Sequence, residues 1–284
     1  QKGFKAVPLG LKAGMRFDNS IRWAKSHNVV GLLPGAKRPD EYVLYSGHWD
    51  HLGRCKPNEA GDDICNGAVD NATGIAAMAA IADANRKAGP ADRSQVFLAV
   101  TLEESGLLGS EFYARNPIFP LDKTVGGVNM DGLAPGGRTR DIEVTGGDKS
   151  ELTRYLNAAM DRMGLVASPE SHPERGHYYR SDHFSMAKRG VPMFAVGRGN
   201  DWVNGGKAAG EAADADYLDK RYHAPDDEYS ADWDWSGIQQ ETRLYFTLGR
   251  MLAMTKDWPN WHQTDEFRRI RDESRASLQP RKGK

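Results

Sequence analysis

Hydrophobic positions of two kinds alternate along the chain. Short and nearly continuous apolar runs, bounded by turn residues, predict β-strands at residues 28–33, 41–46, 95–102, 125–130 and 191–196. Longer segments with helical periodicity lie among and after them, at residues 71–88, 107–115, 149–163 and 234–256. This order predicts an α/β fold, a three-layer sandwich in which a central, mostly parallel sheet is flanked by helices.

Two segments do not fit this alternation. Residues 200–219 are rich in Gly, Ala and Asp, and we interpret them as an excursion near a site rather than as core. Residues 265–284 are charged throughout and predict a solvated helix that runs into a disordered tail. The chain begins with Gln1 rather than Met, so we expect a processed or excised piece. The predicted parts are an N-terminal segment 1–27, a main domain 28–264 and the charged tail.

The composition excludes several classes of protein. Hydrophobic residues make up 39% of the 284 and charged residues 27%, which is typical of a globular chain rather than a disordered one. The 38 basic and 39 acidic residues give a net charge of -1, so nothing favours a nucleic-acid-binding surface. No apolar run approaches the roughly 18 residues of a membrane span. Two cysteines exclude a four-cysteine zinc module and a disulfide-dense scaffold.

Polar side chains follow three of the predicted strands directly. His48 comes after the strand at 41–46, Glu103 and Glu104 directly follow the strand at 95–102, and Asp131 follows the strand at 125–130. Asp70 stands just before the helix at 71–88. Open α/β sheets place their sites at the carboxyl ends of the strands, so we expect these side chains to meet at one edge.

Carboxylates this crowded repel one another unless a cation lies among them, and a bound metal is the simplest one. Imidazole and carboxylate ligands suit zinc. Two ions that share a bridging carboxylate need about five protein ligands, one more than the four residues His48, Asp70, Glu104 and Asp131 supply. His223 is the best remaining histidine, although on residues alone His172, His177 and His183 compete with it.

Six short motifs then identify a family. In chain order they are His48-x-Asp50, Val69-Asp70-Asn71, Glu103-Glu104-x-Gly106-Leu107-Leu108-Gly109-Ser110, Asn129-Met130-Asp131, Arg180-Ser181-Asp182-His183 and Tyr222-His223. Together they resemble the M28 family of co-catalytic zinc peptidases, the aminopeptidase group, over residues 28–256. The resemblance implies a zinc-peptidase type of mixed sheet, two Zn²⁺ per chain and peptide substrates.

The resemblance also implies roles for individual residues. Asp70 would bridge the two ions, and the other ligands would be His48, Glu104, Asp131 and His223. Glu103 would be the general base, with Asp50 supporting His48. Tyr222 would act in catalysis and would face the substrate together with Arg180 and Asp182.

The function implied is an exopeptidase that releases N-terminal residues, with a dipeptidase or carboxypeptidase of the same family as the alternative. A free α-amino group needs acidic neighbours, for which Glu103, Asp131 and Asp182 are candidates, whereas a carboxypeptidase needs a cationic clamp. Candidates for such a clamp are Arg180, Arg198 and Lys207. Trp49, Tyr178, Tyr179 and Phe184 are expected to form an apolar first pocket.

Rival functions are a single-zinc glutaminyl cyclase and a non-catalytic receptor-type domain. The complete set of five ligands argues against both, and the retained Glu103 argues against the second. A serine hydrolase is excluded by the absence of a Gly-x-Ser-x-Gly elbow.

Cys55 and Cys65 are expected to form a disulfide in the loop between His48 and Asp70, which implies maturation outside the reducing cytosol, secreted or periplasmic. Larger members of the family carry an inserted protease-associated domain. Residues 1–11 resemble the exit from such a domain, missing here, and residues 13–29 would be the return strand into the core.

Overall fold

The structure, a computed structural model, describes residues 3–276 and 278. The strands are β1 (Val29–Leu33), β2 (Arg38–His48), β3 (Gly53–Arg54), β4 (Ile64–Cys65), β5 (Arg93–Val100), β6 (Thr124–Asn129), β7 (Asp141–Thr145), β8 (Val166–Ser168) and β9 (Met193–Arg198). The helices are α1 (Gly74–Lys87), α2 (Leu108–Arg115), α3 (Leu152–Asp161), α4 (His183–Ala187), α5 (Gly206–Lys220), α6 (Ser236–Met254) and α7 (Arg268–Ala276). A π-helical turn, Ala68–Thr73, leads into α1.

Seven strands form one mixed sheet in the order β1-β5-β2-β6-β9-β7-β8. The neighbours β5, β2, β6 and β9 run parallel, as do β7 and β8, while β1 and β7 are antiparallel to β5 and β9. Strands β5 and β6 are buried almost throughout, which explains their nearly continuous apolar sequences. The predicted α/β fold around a largely parallel, mixed sheet is confirmed.

Helices cover both faces of the sheet. Alternate residues of β2 separate the two sides: Val43 and Tyr45 pack in the cluster that includes α1, α3 and α6, whereas Leu44 packs in the cluster with α2 and α4. Helix α6 lies so close to β2 that a Cβ on Gly249 would overlap the Tyr45 ring. The result is a three-layer sandwich with the carboxyl ends of β2, β5 and β6 at one edge.

Of two predictions about the chain outside the sheet, one needs correction. The return strand expected at 13–29 does not form, since residues 4–28 have no regular secondary structure and the strand begins at Val29. The segment 200–219 lies outside the core as predicted, and most of it belongs to helix α5. Only Gly210 of α5 is buried, so the helix adds little to the core.

The charged C-terminal segment forms a helix as predicted, but it is not fully solvated. Phe267 and Arg271 are buried against the body of the domain. The Arg271 guanidinium donates to the carbonyls of Thr124 (2.8 Å) and Val125 (3.2 Å). Residues 277 and 279–284, where a disordered tail was expected, lie outside the described residues.

Two further features concern the surroundings of the site. The predicted disulfide is present and joins Cys55 to Cys65, beside the small hairpin of β3 and β4. None of the helices among the described residues combines the length and apolarity needed to cross a bilayer.

Candidate metal centre

Three parallel neighbouring strands deliver the polar residues of the site. His48 is the last residue of β2, Glu103 and Glu104 follow β5, and Asp131 follows β6. Because β2 lies between β5 and β6, the three loops meet at one edge of the sheet. Asp70 reaches the same place from the π-helical turn before α1.

One group of donors surrounds His48. Its Nε2 lies 3.1 Å from Oδ1 of Asp70 and 3.1 Å from Oδ1 of Asp131. Its Nδ1 lies 2.9 Å from the carbonyl oxygen of Asp50. A carbonyl oxygen can only accept, so Nδ1 carries the proton and Nε2 of the neutral ring is free to bind a metal. We call His48, Asp131 and Oδ1 of Asp70 the first half-site.

A second group surrounds His223. Its Nε2 lies 3.3 Å from Oδ2 of Asp70 and 3.2 Å from Oε2 of Glu104. We call His223, Glu104 and Oδ2 of Asp70 the second half-site. The two oxygens of the Asp70 carboxylate therefore face different half-sites, as a bridging carboxylate does between two metal ions.

Hydrogen bonds fix the loops that carry these ligands. The Asn71 side chain donates to the carbonyls of His48 (3.1 Å) and Met130 (2.9 Å) and accepts from the Gly132 N–H (3.0 Å). It therefore ties the loop after β2 to the loop after β6.

A buried carboxylate fixes the turn before α1. The backbone N–H groups of Val69 and Asp70 donate to Asp227 at 3.0 and 3.1 Å. Asp131 is held separately, because its Oδ2 accepts a 2.5 Å hydrogen bond from the Ser181 hydroxyl.

The pKa values show how far negative charge dominates the centre. Burial lowers the pKa of His48, but the carboxylates of Asp131 and Asp70 outweigh that effect and raise it far above its usual value. Burial would raise the pKa of Asp70, yet contacts with His223 and His48 hold it well below its usual value. Both shifts come from the same close contacts between imidazole and carboxylate groups, which outweigh burial at this centre.

The adjacent residues Glu103 and Glu104 differ sharply in the pKa of their side chains. Burial raises the pKa of Glu104, but contacts with His223 and His51 lower it to about 2. Burial, followed by repulsion from Asp131 and Asp182, raises the pKa of Glu103 to about 9. The two glutamates therefore lie in different surroundings, Glu104 beside imidazoles and Glu103 beside carboxylates.

The donor set fits zinc. Ligand atoms of His48, Asp70 and Glu104 lie within 4.8 Å of one another. Nitrogen and carboxylate oxygen are ligands zinc accepts, and the unfavourable concentration of carboxylates is relieved by a divalent ion. Both half-sites combine one imidazole with carboxylates, so the arrangement can hold two ions.

Asp50 contacts His48 through its main chain. Its carbonyl oxygen binds Nδ1 of His48, while its carboxylate accepts the Glu103 N–H at 3.2 Å and lies 3.8 Å from Nδ1. Asp50 therefore links the loop after β2 to the general-base candidate.

The expected substrate-facing residues separate into two groups. The Tyr222 ring stacks on His223 with 3.9 Å between centroids, and its side chain is 40% exposed. Burial raises the pKa of Tyr222 to about 12, an effect that the charge of exposed Arg180 partly opposes. Asp182, by contrast, is completely buried, and burial raises its pKa to about 7. The structure therefore places Asp182 behind the centre and not in contact with a substrate.

The expected apolar pocket is also arranged differently. The rings of Tyr178, Tyr179 and Phe184 pack on one another's edges and on Phe267, in a partly buried aromatic cluster. Trp49 is 49% exposed, and its indole N–H donates to the carbonyl of His27.

Sequence reasoning missed three residues of the centre, His51, Asn71 and Asp227. Nδ1 of His51 lies 2.7 Å from Oε1 of Glu104. Its position three residues after His48, in the same strand-end loop, was an available signal. Asp227 is 157 residues from the backbone that it holds, so no local pattern reports its role.

Comparisons with known proteins agree with this geometry. The model of Peptidase family M28 matches residues 28–248. The mouse protein named Aminopeptidase NAALADL1 is 28% identical over 132 residues, which is 44% of this chain and 16% of that protein. The Caenorhabditis elegans Glutamate carboxypeptidase 2 homolog is 28% identical over 128 residues, 43% of this chain and 15% of the relative.

Among solved structures, the zinc aminopeptidase BSAP from Bacillus subtilis superposes with a TM-score of 0.60 at 19% identity. The match covers 81% of this chain and 51% of that structure. The chain thus spans about half of the solved relative and a smaller share of the two curated relatives.

Proposed function

The chain belongs to peptidase family M28, and we propose that it is a two-zinc aminopeptidase that releases single residues from the N-termini of peptides. One observation carries the two-metal part of the proposal. The oxygens of Asp70 point to two separate histidine–carboxylate pairs, at 3.1 Å from His48 and 3.3 Å from His223. A single-zinc enzyme needs only one such pair, so the glutaminyl cyclase alternative explains half of the centre.

His48, Asp131, Asp70, Glu104 and His223 would hold the zinc ions, which when bound would lower the pKa of a water molecule and polarise the scissile carbonyl. Glu103 is the general base: it takes a proton from the attacking water and passes it to the leaving amine. The close imidazole–carboxylate contacts of the two half-sites involve Asp70, Asp131 and Glu104 and not Glu103, which supports a role for Glu103 other than metal binding. Tyr222, stacked on His223, donates its phenol hydrogen to the oxyanion that develops on the substrate.

The charges around the centre favour N-terminal release. Glu103 and Asp131 remain candidates to bind a free α-amino group, whereas the buried Asp182 does not. Of the possible carboxylate clamps, Arg198 is engaged elsewhere, since it donates to the carbonyls of Ala134 and Pro135. Arg180 is exposed near Tyr222 and could bind a terminal carboxylate, so a carboxypeptidase is kept as the second candidate.

The test uses one peptide in three forms, with free ends, with an acetylated N-terminus and with an amidated C-terminus. Product masses after incubation with the zinc-loaded protein identify the bond that is cleaved. We expect stepwise loss of N-terminal residues from the free and the amidated peptides and no cleavage of the acetylated one. The reverse pattern would assign the chain to the carboxypeptidases, and one bound zinc with no cleavage of any form would favour the cyclase.

We further propose that the protein matures in an oxidising compartment, secreted or periplasmic, because Cys55 and Cys65 are joined. Reactive thiols counted under denaturing, non-reducing conditions in protein from its native host test this, with zero expected and two against it.

We also propose that residues 1–27 lead from a protease-associated domain. Eight large apolar side chains between Phe4 and Trp23 are each at least 74% exposed, which supports a covering domain. Sequencing the parent protein tests the proposal, and a native N-terminus at Gln1 would contradict it.

A further inference from the structure

His51 is a buried residue of the centre that the proposed mechanism does not use. It lies in the loop after β2, and its side chain is 7% exposed. Its Nδ1 is 2.7 Å from Oε1 of Glu104, while Oε2 of the same carboxylate is 3.2 Å from Nε2 of His223. The two oxygens of Glu104 therefore have separate partners, one in the second half-site and one outside it.

The surrounding backbone leaves the His51 ring little room to move away from Glu104. Gly67, with φ +65°, lies against the His51 side chain, and a Cβ built there would be 2.6 Å from Cγ of His51. The ring edge also meets the His223 ring, with 5.7 Å between centroids. Both ring nitrogens of His51 and Oε1 of Glu104 are buried without a hydrogen bond of regular geometry to any described residue, so the 2.7 Å approach of Nδ1 to Oε1 is the close polar contact of this ring.

We propose that His51 is a positioning residue for the second half-site, an inference that rests on the proposed two-zinc function. In this proposal Nδ1 of His51, 2.7 Å from Oε1 of Glu104, donates to that oxygen when Glu104 binds its ion and so fixes the rotation of the carboxylate. Oε2 is thereby directed to the position where the second half-site binds its ion. A ligand carboxylate without such a partner rotates more freely and pays more conformational entropy on binding the metal.

The geometry makes this effect specific for one half-site. His51 contacts Glu104, whereas the first half-site has a different support, the hydroxyl of Ser181 on Oδ2 of Asp131. Loss of the His51 donor should weaken one zinc ion and leave the other nearly unchanged. Loss of the Ser181 hydroxyl should do the opposite.

The experiment compares His51→Leu with His51→Asn, which have similar shapes but differ in the donor. The Asn amide nitrogen stands close to the place of Nδ1, so this variant keeps the hydrogen bond. Zinc affinities of both half-sites are measured by chelator competition on the whole protein. We expect His51→Leu to weaken one site about 10- to 100-fold and His51→Asn to stay within about threefold of the wild type. Ser181→Ala, as the matched control, should weaken only the other site.

Several outcomes would overturn the inference. Unchanged zinc affinities in His51→Leu would remove the positioning role, and equal weakening of both sites would indicate a general disturbance. Cobalt substitution gives an independent readout: a changed ligand-field spectrum in His51→Asn would identify His51 as a direct ligand instead. In the double variant with Glu104→Gln, His51→Leu should add nothing to the loss of affinity.

If the proposed two-zinc function is wrong, the wild type itself binds fewer than two ions. This result differs from failure of the His51 inference, in which the wild type binds two. Circular dichroism and melting of the metal-free variants separate misfolding from a local effect on the site.

Discussion

The substitution Glu103→Gln separates the two adjacent glutamates by function. The five closest contacts between imidazoles and carboxylates in the centre involve Asp70, Asp131 and Glu104, but not Glu103. Glutamine has the same length as glutamate and cannot accept a proton at neutral pH. The variant should therefore keep two zinc ions per chain and lose the general base.

The expected magnitude follows from what each residue contributes. General-base catalysis is typically worth a factor of about 10²–10⁴, so kcat of Glu103→Gln should fall by that factor, or about 3–5 kcal/mol in the activation free energy. KM should change little, because Glu103 acts on the water. Glu104→Gln should instead lose one zinc ion, since Glu104 has its two oxygens at 2.7 and 3.2 Å from His51 and His223.

The assay combines metal analysis of the dialysed proteins with steady-state cleavage of the N-terminally free peptide. Activity of Glu104→Gln that returns at high zinc concentration would mark it as a ligand variant, whereas Glu103→Gln should not recover. If Glu103→Gln lost metal while Glu104→Gln retained it, the two roles would be exchanged and the reasoning from the contacts would be refuted.

Three further predictions concern other parts of the molecule. Replacing Cys55 and Cys65 by serine should lower the free energy of unfolding by about 3 kcal/mol in the chain-entropy model, and an unchanged urea midpoint would contradict it. Burial raises the pKa of Glu241 from 4.5 to about 7, so the folded protein loses stability as the pH rises between those values. Glu241→Gln should therefore be more stable than the wild type above pH 7, by up to about 3 kcal/mol. An equal melting temperature there would count against it. Tyr222→Phe should lower kcat by roughly 10²-fold with zinc content unchanged, and full activity would exclude the phenol from catalysis.

The rule that strand ends form the site is what made the centre predictable. His48, Glu104 and Asp131 are separated by dozens of residues, yet each follows a buried strand whose apolar run is evident in the sequence. The sheet order then brings them together. Their assignment to particular half-sites needs distances, because residue types alone leave His223 in competition with other histidines.

The errors have two physical causes. Helix α5 was not predicted, because it is exposed on nearly every side and its sequence lacks the apolar stripe that marks a packed helix. Arg271 and Asp182 are charged residue types that are usually solvated, but long-range neighbours bury both of them. In Arg271 the compensating acceptors are carbonyls about 146 residues away, which no local pattern can reveal.

The same long-range contacts explain how so many carboxylates remain close together. Asn71 binds the loops after β2 and β6, and Asp227 binds the backbone on the N-terminal side of Asp70. Neither contact involves a ligand atom, so the backbone positions of the ligands depend on the sheet and these ties. Only the final rotation of each carboxylate remains to be set, and that is the part His51 and Ser181 control. Substitutions of the ties should therefore act on both half-sites, whereas substitutions of His51 or Ser181 should act on one.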